Sequence, residues 1–360
     1  MRKLLLMSVA LSLVVFAALP SSVSAQPCNP YNQGVWQTQA PVPTPIIRAW
    51  GQFFAGNGNF YALGGRQTDT AGSDYLNPRE YNPSTNTWTV KASAFPDNQL
   101  NNMVGGILTI GGQSVIVVVG GSAAGAVTAT ATVKTYNPMT DTITPLPSDN
   151  WPGNPTGTIL PGGAAVVGNT LYVFGGFNIN VSMTSEIWAF DGNAPAGSRW
   201  TLKAASLPAP RGYIPTAEIG GMIYMAGGSL WDGATLQDTA DTLRYDPVAD
   251  TITPLASTPR ATGETRAVRQ AFDNTLWVIG GGRTLPNPSA QVDVYNPATN
   301  TWTTAPPMLT ARRNFPVDID PTVDKMWAAG GYDGATGLPT TTNEQFTCIV
   351  PVDLMTFGVE

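Results

Sequence analysis

Short apolar segments separated by turns rich in glycine and proline run through most of the chain. A typical segment is Leu171-Tyr172-Val173-Phe174, which is followed at once by two glycines. Apolar runs of this length, rich in β-branched and aromatic residues and bounded by turn residues, are typical of strands. The pattern therefore predicts an all-β protein built from many short strands.

The apolar runs belong to a repeat that is marked by pairs of glycines. Counting between first glycines, the steps are 56, 55, 52, 53 and 50 residues. The six doublets are Gly64-Gly65, Gly120-Gly121, Gly175-Gly176, Gly227-Gly228, Gly280-Gly281 and Gly330-Gly331. A sustained period in this range predicts a propeller or an array, in which each unit buries its apolar faces against its neighbours.

A second element follows five of the doublets. It begins with an aromatic residue, continues through a tight turn that opens with Asn or Asp in every unit, and ends with Trp or Ile. The aromatic residues are Tyr81, Tyr136, Phe190, Tyr245 and Tyr295, and the closing residues are Trp88, Ile143, Trp200, Ile252 and Trp302. Together with an earlier apolar run ahead of each doublet, this predicts four strands per unit. The glycines allow close approach between units, and the aromatic rings fill the space between twisted sheets.

The doublet followed by a spaced Tyr and Trp resembles the kelch repeat. The resemblance covers about residues 35 to 350 and implies a six-bladed β-propeller of the all-β class, within a domain at 26–350. The sixth unit lacks a fourth strand after Phe346, whereas the segment at about 34–41 is similar to the segment at 301–306. We therefore expect the N-terminal segment to complete the last blade. Residues 351–360 are expected to form a C-terminal tail, with no membrane span in the mature chain.

The first 25 residues have the pattern of a signal peptide. Arg2 and Lys3 precede an apolar run from Leu4 to Pro20, which ends in the small-x-small sequence Val23-Ser24-Ala25. The alternative is an uncleaved membrane anchor. Cleavage leaves a mature chain with a net charge of −8, which disfavours nucleic acid as a partner. The sequence thus predicts a secreted or periplasmic protein.

The two cysteines, Cys28 and Cys348, lie near opposite ends of the mature chain. In an oxidising compartment, a single pair predicts one disulfide, which would fasten the ring where the two ends meet. Two separate thiols are the alternative.

Composition excludes several classes of enzyme. The chain contains no histidine, so Ser-His-Asp and Cys-His catalysis and imidazole-ligated metal sites are excluded. Copper oxidases of the galactose-oxidase type are excluded for the same reason. We find no converging acid, base and nucleophile, and we predict no cofactor and no metal.

Candidate binding residues come from aligning the repeats on their doublets. Arg48, Arg211 and Glu264 each lie 16 residues before the first glycine of a doublet, and Arg313 lies 17 before its own. Two positions further on are Trp50, Tyr213, Arg266 and Phe315. Arginines interleaved with aromatic rings at one mouth of the channel would bind a carboxylate or a sugar acid. The alternative is that these arginines brace their own loops.

Trp231 is a large aromatic residue in the loop after the fourth doublet and falls outside the repeat pattern. It is a candidate for stacking on a sugar, and packing on a neighbouring loop is the alternative.

These observations predict a secreted, non-enzymatic binding or scaffold module that presents propeller loops to a protein or glycan partner. The alternative is a periplasmic sugar-acid epimerase similar to the sialic-acid mutarotases. Such an enzyme would use Arg211, Glu218, Glu264 and Arg266 at the mouth.

Overall fold

A computed structural model describes residues 29–283 and 288–348. The predicted signal peptide at 1–25, Cys28 and the predicted tail at 351–360 lie outside these residues. Within them, no helix is long and apolar enough to cross a membrane.

The described residues begin with a short helix and one strand, and the first three blades follow in order. The helix is α1 (Pro30–Gln33) and the strand is β1 (Gly34–Thr38). Blade 1 contains β2 (Trp50–Phe54), β3 (Asn59–Leu63), β4 (Arg79–Asn82) and β5 (Thr87–Val90). Blade 2 contains β6 (Val104–Ile110), β7 (Gln113–Val119), β8 (Val133–Asn137) and β9 (Thr142–Pro145), followed by a 3₁₀ turn at Pro147–Asp149. Blade 3 contains β10 (Ile159–Val167), β11 (Thr170–Asn178), β12 (Ser182–Asp191) and β13 (Trp200–Ser206).

The remaining three blades follow the same plan, with an extra two-stranded sheet in blades 4 and 6. Blade 4 contains β14 (Thr216–Ile219), β15 (Met222–Ala226), the hairpin β16 (Ser229–Trp231) and β17 (Leu236–Asp238), and then β18 (Thr242–Asp246) and β19 (Thr251–Leu255). Blade 5 contains β20 (Arg266–Gln270), β21 (Thr275–Ile279), β22 (Val292–Asn296) and β23 (Thr301–Ala305). The last strands are β24 (Arg312–Arg313), β25 (Val317–Asp320), β26 (Lys325–Ala329), β27 (Tyr332–Asp333) and β28 (Asn343–Cys348), of which β24 pairs with β27.

Six antiparallel four-stranded sheets form the ring, so the predicted six-bladed propeller is confirmed. The first strand of each blade contacts the first strands of both neighbouring blades, and β25 of blade 6 returns to β2 of blade 1. These six inner strands surround a central channel. Propellers of this kind leave only short, protected strand edges.

Blade 6 is completed by the N-terminal strand, as the sequence predicts. Its order is β25, β26, β28 and β1, and Trp36 lies opposite Phe346. The same register places Gly34 opposite Cys348. The described part of the chain contains no free cysteine. Because Cys28 lies outside it, the Cys28–Cys348 disulfide stays a prediction.

Aromatic residues from adjacent blades meet and fill the spaces between the sheets. Phe53 of blade 1 stacks on Trp327 of blade 6 with ring centroids 5.4 Å apart. Tyr172 of blade 3 contacts Tyr245 of blade 4 at 5.6 Å. Each such pair contributes roughly 0.5–1.5 kcal/mol beyond the burial of its surface. The core of the protein therefore lies between blades rather than within any one blade.

The turn between the last two strands of four blades links each of those blades to the one before it. In each turn an Asn or Asp takes a left-handed conformation, and its side chain accepts hydrogen bonds from the repeat tyrosine and from a backbone N–H of the preceding blade. The four residues are Asn86, Asp141, Asp250 and Asn300, with φ of 53°, 50°, 51° and 55°, and the backbone donors are Ala40, Ala92, Ala204 and Ala256. Asn and Asp tolerate this conformation because their short polar side chains bond locally.

The closing tryptophans add a second link between blades. The indole N–H of Trp88 donates to the carbonyl of Ala40 at 3.0 Å, and that of Trp302 donates to Ala256 at 2.8 Å. The tyrosine, the turn and the tryptophan of the repeat thus together form the hydrogen bonds that join neighbouring blades.

The glycine doublets are required by both conformation and close approach. Gly227 has φ of 74°, and a Cβ at this position would overlap the carbonyl oxygen of Thr262 on the loop that leads into blade 5. A side chain at this position would therefore force neighbouring blades apart.

Candidate ligand site at the channel mouth

One mouth of the channel is ringed by residues in the left-handed conformation. They lie just before the inner strands of blades 1, 2, 4, 5 and 6. They are Arg48, Asn102, Tyr213, Glu264 and Asn314, with φ between 51° and 60°. Each costs of order 1 kcal/mol for a residue other than glycine, and such strain gathers at functional sites.

Backbone hydrogen bonds hold four residues of this ring together. The N–H of Asn314 donates to Glu264 at 2.7 Å, that of Arg48 to Asn314 at 2.8 Å, and that of Asn102 to Arg48 at 3.0 Å. The bonds run from blade 5 through blades 6 and 1 to blade 2. The left-handed turn therefore points successive side chains at one small cavity of about 70 Å³.

Glu264 is the negative centre of the mouth. Its side chain is fully buried, and it pairs with Arg313 and with Arg283, whose nitrogen is 3.2 Å away. The amide of Asn314 also donates to it, at 2.9 Å. Burial alone would raise the pKa of Glu264, but Arg313, Arg48 and Arg283 outweigh burial and hold the pKa below its usual range. Glu264 is therefore an ionised structural carboxylate.

Two arginines of the mouth have no ion pair with a carboxylate among the described residues. Arg48 donates to the side-chain oxygen of Asn102 at 3.2 Å, and its Nε is buried without a hydrogen-bond partner. Burial opposes its charge, yet the field of Glu264 raises the pKa of Arg48. The guanidinium of Arg266 lies 3.1 Å from the ring centroid of Trp50, and burial lowers the pKa of Arg266 to about 9. Both groups stay cationic at neutral pH.

The structure brings together most of the candidate residues of the sequence analysis. Arg48, Tyr213, Glu264, Arg266 and Phe315 line the mouth cavity. Arg313 adjoins it through Glu264, and its guanidinium lies 4.5 Å from the ring centroid of Tyr332. Trp50 lies deeper, below Arg266, where it lines a second cavity.

Arg211 and Trp231 are not among the residues that line the mouth cavity. Arg211 is 1% exposed, pairs with Asp241 at 2.7 Å and donates to the carbonyl of Gly227 at 3.3 Å. This is the bracing role that the sequence analysis held as the alternative. Trp231 packs against Phe177 with ring centroids 5.5 Å apart, so its contacts are also those of the packing alternative.

Two asparagines of the ring, Asn102 and Asn314, are not among the residues predicted from the sequence. Asn314 lies 16 residues before its doublet, which is the spacing shared by Arg48 and Glu264, and Asn tolerates the left-handed conformation. The alignment was therefore sufficient to find it. Asn102 lies 18 residues before its doublet because β6 and β7 are longer than their counterparts in blade 1, and no spacing rule reveals it.

Comparisons with known proteins agree with this architecture. A family profile described as the Kelch motif matches residues 270–309, which span most of blade 5. Kelch-like protein terF of Aspergillus terreus is 25% identical over 260 residues, which cover 69% of this chain and 52% of that protein. The chain therefore contains a Kelch motif and is similar to kelch-repeat proteins. An F-box/kelch-repeat protein of Arabidopsis thaliana is 27% identical over 168 residues, covering 42% of this chain and 44% of the relative.

The chain thus spans about half the length of the curated relatives that it matches. Among solved structures, that of YjhT superposes with a TM-score of 0.66 over 85% of this chain and 95% of the other. At 16% identity, that likeness concerns the fold alone.

Proposed function

We propose that this kelch propeller is a secreted, non-enzymatic binding module that takes the carboxylate of a protein or glycan partner at the channel mouth. The observation that carries the proposal is the pair of guanidinium groups, Arg48 and Arg266, that face the mouth cavity without a carboxylate of their own. Guanidinium groups bind carboxylates in bidentate fashion with fixed geometry.

The size of the cavity limits how much of the ligand enters it. A cavity needs roughly 10–15 Å³ to hold one water molecule, so the mouth cavity of about 70 Å³ holds roughly five water-sized groups. That is room for a carboxylate and the few atoms next to it. The remainder of the ligand then lies against the loops that surround the mouth, such as the β24–β27 sheet that carries Tyr332.

The geometry favours binding over the sugar-acid epimerase alternative. Arg211 is engaged with Asp241, and Glu218 lines the second cavity rather than the mouth. Glu264 and Arg266 do line the mouth, but proton transfer near neutral pH needs a group with a pKa close to 7. The pKa of Glu264 is shifted the other way.

A glycan array and an acidic-peptide array test the proposal with three proteins. Arg48→Asn removes the cation but keeps the backbone, because Asn102 and Asn314 adopt the same conformation with φ of 58° and 55°. Arg269→Gln removes the same charge from the inner strand of blade 5 at a position away from the mouth, where the arginine donates to Asn274. We expect saturable binding of carboxylated ligands that Arg48→Asn weakens roughly tenfold or more and Arg269→Gln leaves unchanged.

Either of two results would overturn the proposal: no carboxylated ligand binds, or the methyl ester of the best ligand binds as well as the acid. Interconversion of sugar-acid anomers by the wild-type protein, lost in Glu264→Gln, would instead support the enzyme alternative.

Secretion rests on the N-terminal pattern and has its own test. N-terminal sequencing of protein recovered outside the cytoplasm should begin at Gln26. A membrane-bound form that begins at Met1 would favour the anchor alternative. Non-reducing peptide mapping of the same material should yield the Cys28 and Cys348 peptides joined, and two free thiols would refute the disulfide.

A further inference from the structure

The central channel is divided into two cavities by one side-chain pair. Trp50 comes from the inner strand of blade 1 and Arg266 from that of blade 5, and the two groups stack 3.1 Å apart. Because blade 6 lies between these blades, the pair reaches past it through the channel. The mouth cavity and a larger cavity of about 380 Å³ share Arg266 and no other lining residue.

The walls of the larger cavity, which we call the lower cavity, are mainly small and apolar. Inner strands contribute Gly106, Ala165, Ala217, Val268 and Ile319 to it. The glycines and alanines of blades 2, 3 and 4 leave this space open. Apolar ligand groups that enter this space are removed from water, at about 25 cal/mol per Å² of apolar surface.

One carboxylate of the lower cavity, that of Asp318, interacts electrostatically with Arg266. Asp318 accepts hydrogen bonds from the amide of Gln52 at 2.6 Å and from the N–H of Phe53 at 2.7 Å, which fix its position. Burial raises the pKa of Asp318 to about 6, and these hydrogen bonds and Arg266 act in the opposite direction. The carboxylate is therefore mostly ionised at neutral pH.

Asp318 and Arg266 line the same cavity and influence each other electrostatically, yet they form no ion pair. The side-chain nitrogens of Arg266 have no hydrogen bond or ion pair among the described residues. By contrast, the two other charged residues of the lower cavity are bonded locally. Glu218 accepts from the N–H of Gly221 at 2.6 Å, and Arg269 donates to Asn274.

We propose that the lower cavity binds a small zwitterion with an apolar side chain, the chemical class of the apolar α-amino acids. The carboxylate of the ligand binds Arg266, its ammonium group binds Asp318, and its side chain packs on the alanine and valine walls. A ligand with a single charge leaves either Arg266 or Asp318 uncompensated in a partly dry cavity, which is costly. This site shares Arg266 with the mouth and differs from it by Asp318, which lines the lower cavity and not the mouth cavity.

Calorimetric titration of the full mature protein with leucine, leucinamide and N-acetyl-leucine tests the proposal without any variant. We expect leucine to bind and each derivative, which lacks one of the two charges, to bind roughly ten- to a hundredfold more weakly. The proposal is overturned if no apolar amino acid binds at millimolar concentration, or if either derivative binds as well as leucine.

Two variants then separate the lower cavity from the mouth. Asp318→Asn keeps the shape of the side chain and should weaken leucine binding by the same factor, whereas Arg48→Asn should leave it unchanged. If Arg48→Asn abolishes leucine binding and Asp318→Asn does not, the zwitterion site lies at the mouth and the proposal is wrong. The proposed function has its own test, which is the loss of carboxylate binding in Arg48→Asn. Either proposal can therefore fail without the other.

Discussion

Asp141 offers the sharpest test of how the blades are held together. Its carboxylate accepts hydrogen bonds from the N–H groups of Ala92 and Ser93 at 3.0 and 3.3 Å, from the Ser93 hydroxyl at 2.7 Å and from the Tyr136 hydroxyl at 3.1 Å. Ala92 and Ser93 belong to blade 1, whereas Asp141 and Tyr136 belong to blade 2. Asp141→Ala removes all four bonds across and within this junction.

The magnitude follows from these contacts. At ~1 kcal/mol for each hydrogen bond at a partly exposed site, the four bonds contribute about 4 kcal/mol. Alanine in the left-handed conformation, at φ of 50°, costs about 1 kcal/mol more. Asp141→Gly avoids this conformational cost, and Asp141→Asn keeps the two bonds that Asn86 and Asn300 make at the equivalent positions. We therefore expect the free energy of unfolding to fall by about 5 kcal/mol in Asp141→Ala, about 4 kcal/mol in Asp141→Gly and about 2 kcal/mol in Asp141→Asn.

Equilibrium unfolding in urea, followed by tryptophan fluorescence and checked for reversibility, measures these losses in the free energy of unfolding.

The pH dependence of stability provides a second readout. Burial would raise the pKa of Asp141, but hydrogen bonds from Ser93, Tyr136 and Ala92 hold it below its usual range. The stabilisation by the ionised carboxylate is thus present above the unfolded pKa of about 4 and is lost as the pH falls below it. Asp141→Asn should lack this loss in acid. The reasoning is refuted if Asp141→Ala unfolds within ~1 kcal/mol of the wild type, or if Asn is no better than Ala.

Three further changes have definite expected outcomes. Because burial raises the pKa of Asp318 to about 6, the associated stability is present below the unfolded pKa of about 4. It falls by up to ~3 kcal/mol as the pH rises through 6, and urea unfolding of Asp318→Asn between pH 4 and pH 8 should lack this fall. Gly227→Ala should cost more than about 3 kcal/mol because its Cβ overlaps Thr262, whereas Gly221→Ala, with φ of 83° and open space around it, should cost only about 1 kcal/mol. Equal losses of these two variants in thermal unfolding would contradict the close-approach argument. Glu264→Gln leaves the arginines that face it uncompensated and should cost about 3–5 kcal/mol, so a variant as stable as the wild type would show that the mouth is not held by charge.

The blade count was predictable because its signals are local. Each signal spans only a few positions: a glycine doublet in the left-handed conformation, a turn with Asn or Asp, and a closing aromatic residue. The same signals recur in successive repeats, which makes the number of blades predictable. The similarity between Trp36 and Trp302 even located the missing strand, since both indoles donate to a carbonyl of the preceding blade.

The site was only partly predictable because it depends on which long side chain meets which partner. Arg48 and Arg211 have the same spacing from their doublets, but Arg211 meets Asp241 and turns away from the mouth. Nothing near Trp50 in the chain indicates that it meets Arg266 from a blade that is not its neighbour. The spacing in the repeat predicts the backbone position of an arginine, whereas its ion-pair partner determines the position of its guanidinium group.

The pairing of β1 with β28 has a consequence for the order in which the molecule is made. Strand β1 leaves the ribosome before any other strand of the described residues, and it receives its partner only after the rest of the ring has been synthesised. The amide of Asn343 reaches the carbonyl of Ala40 across 303 positions of sequence. Until then β1 and the inner strand of blade 1 both wait with an unsatisfied neighbour. A circular permutant that joins the present ends and opens the ring between two intact blades would build every blade from one continuous segment, so that only the contact between the first and last blades would wait for the end of synthesis.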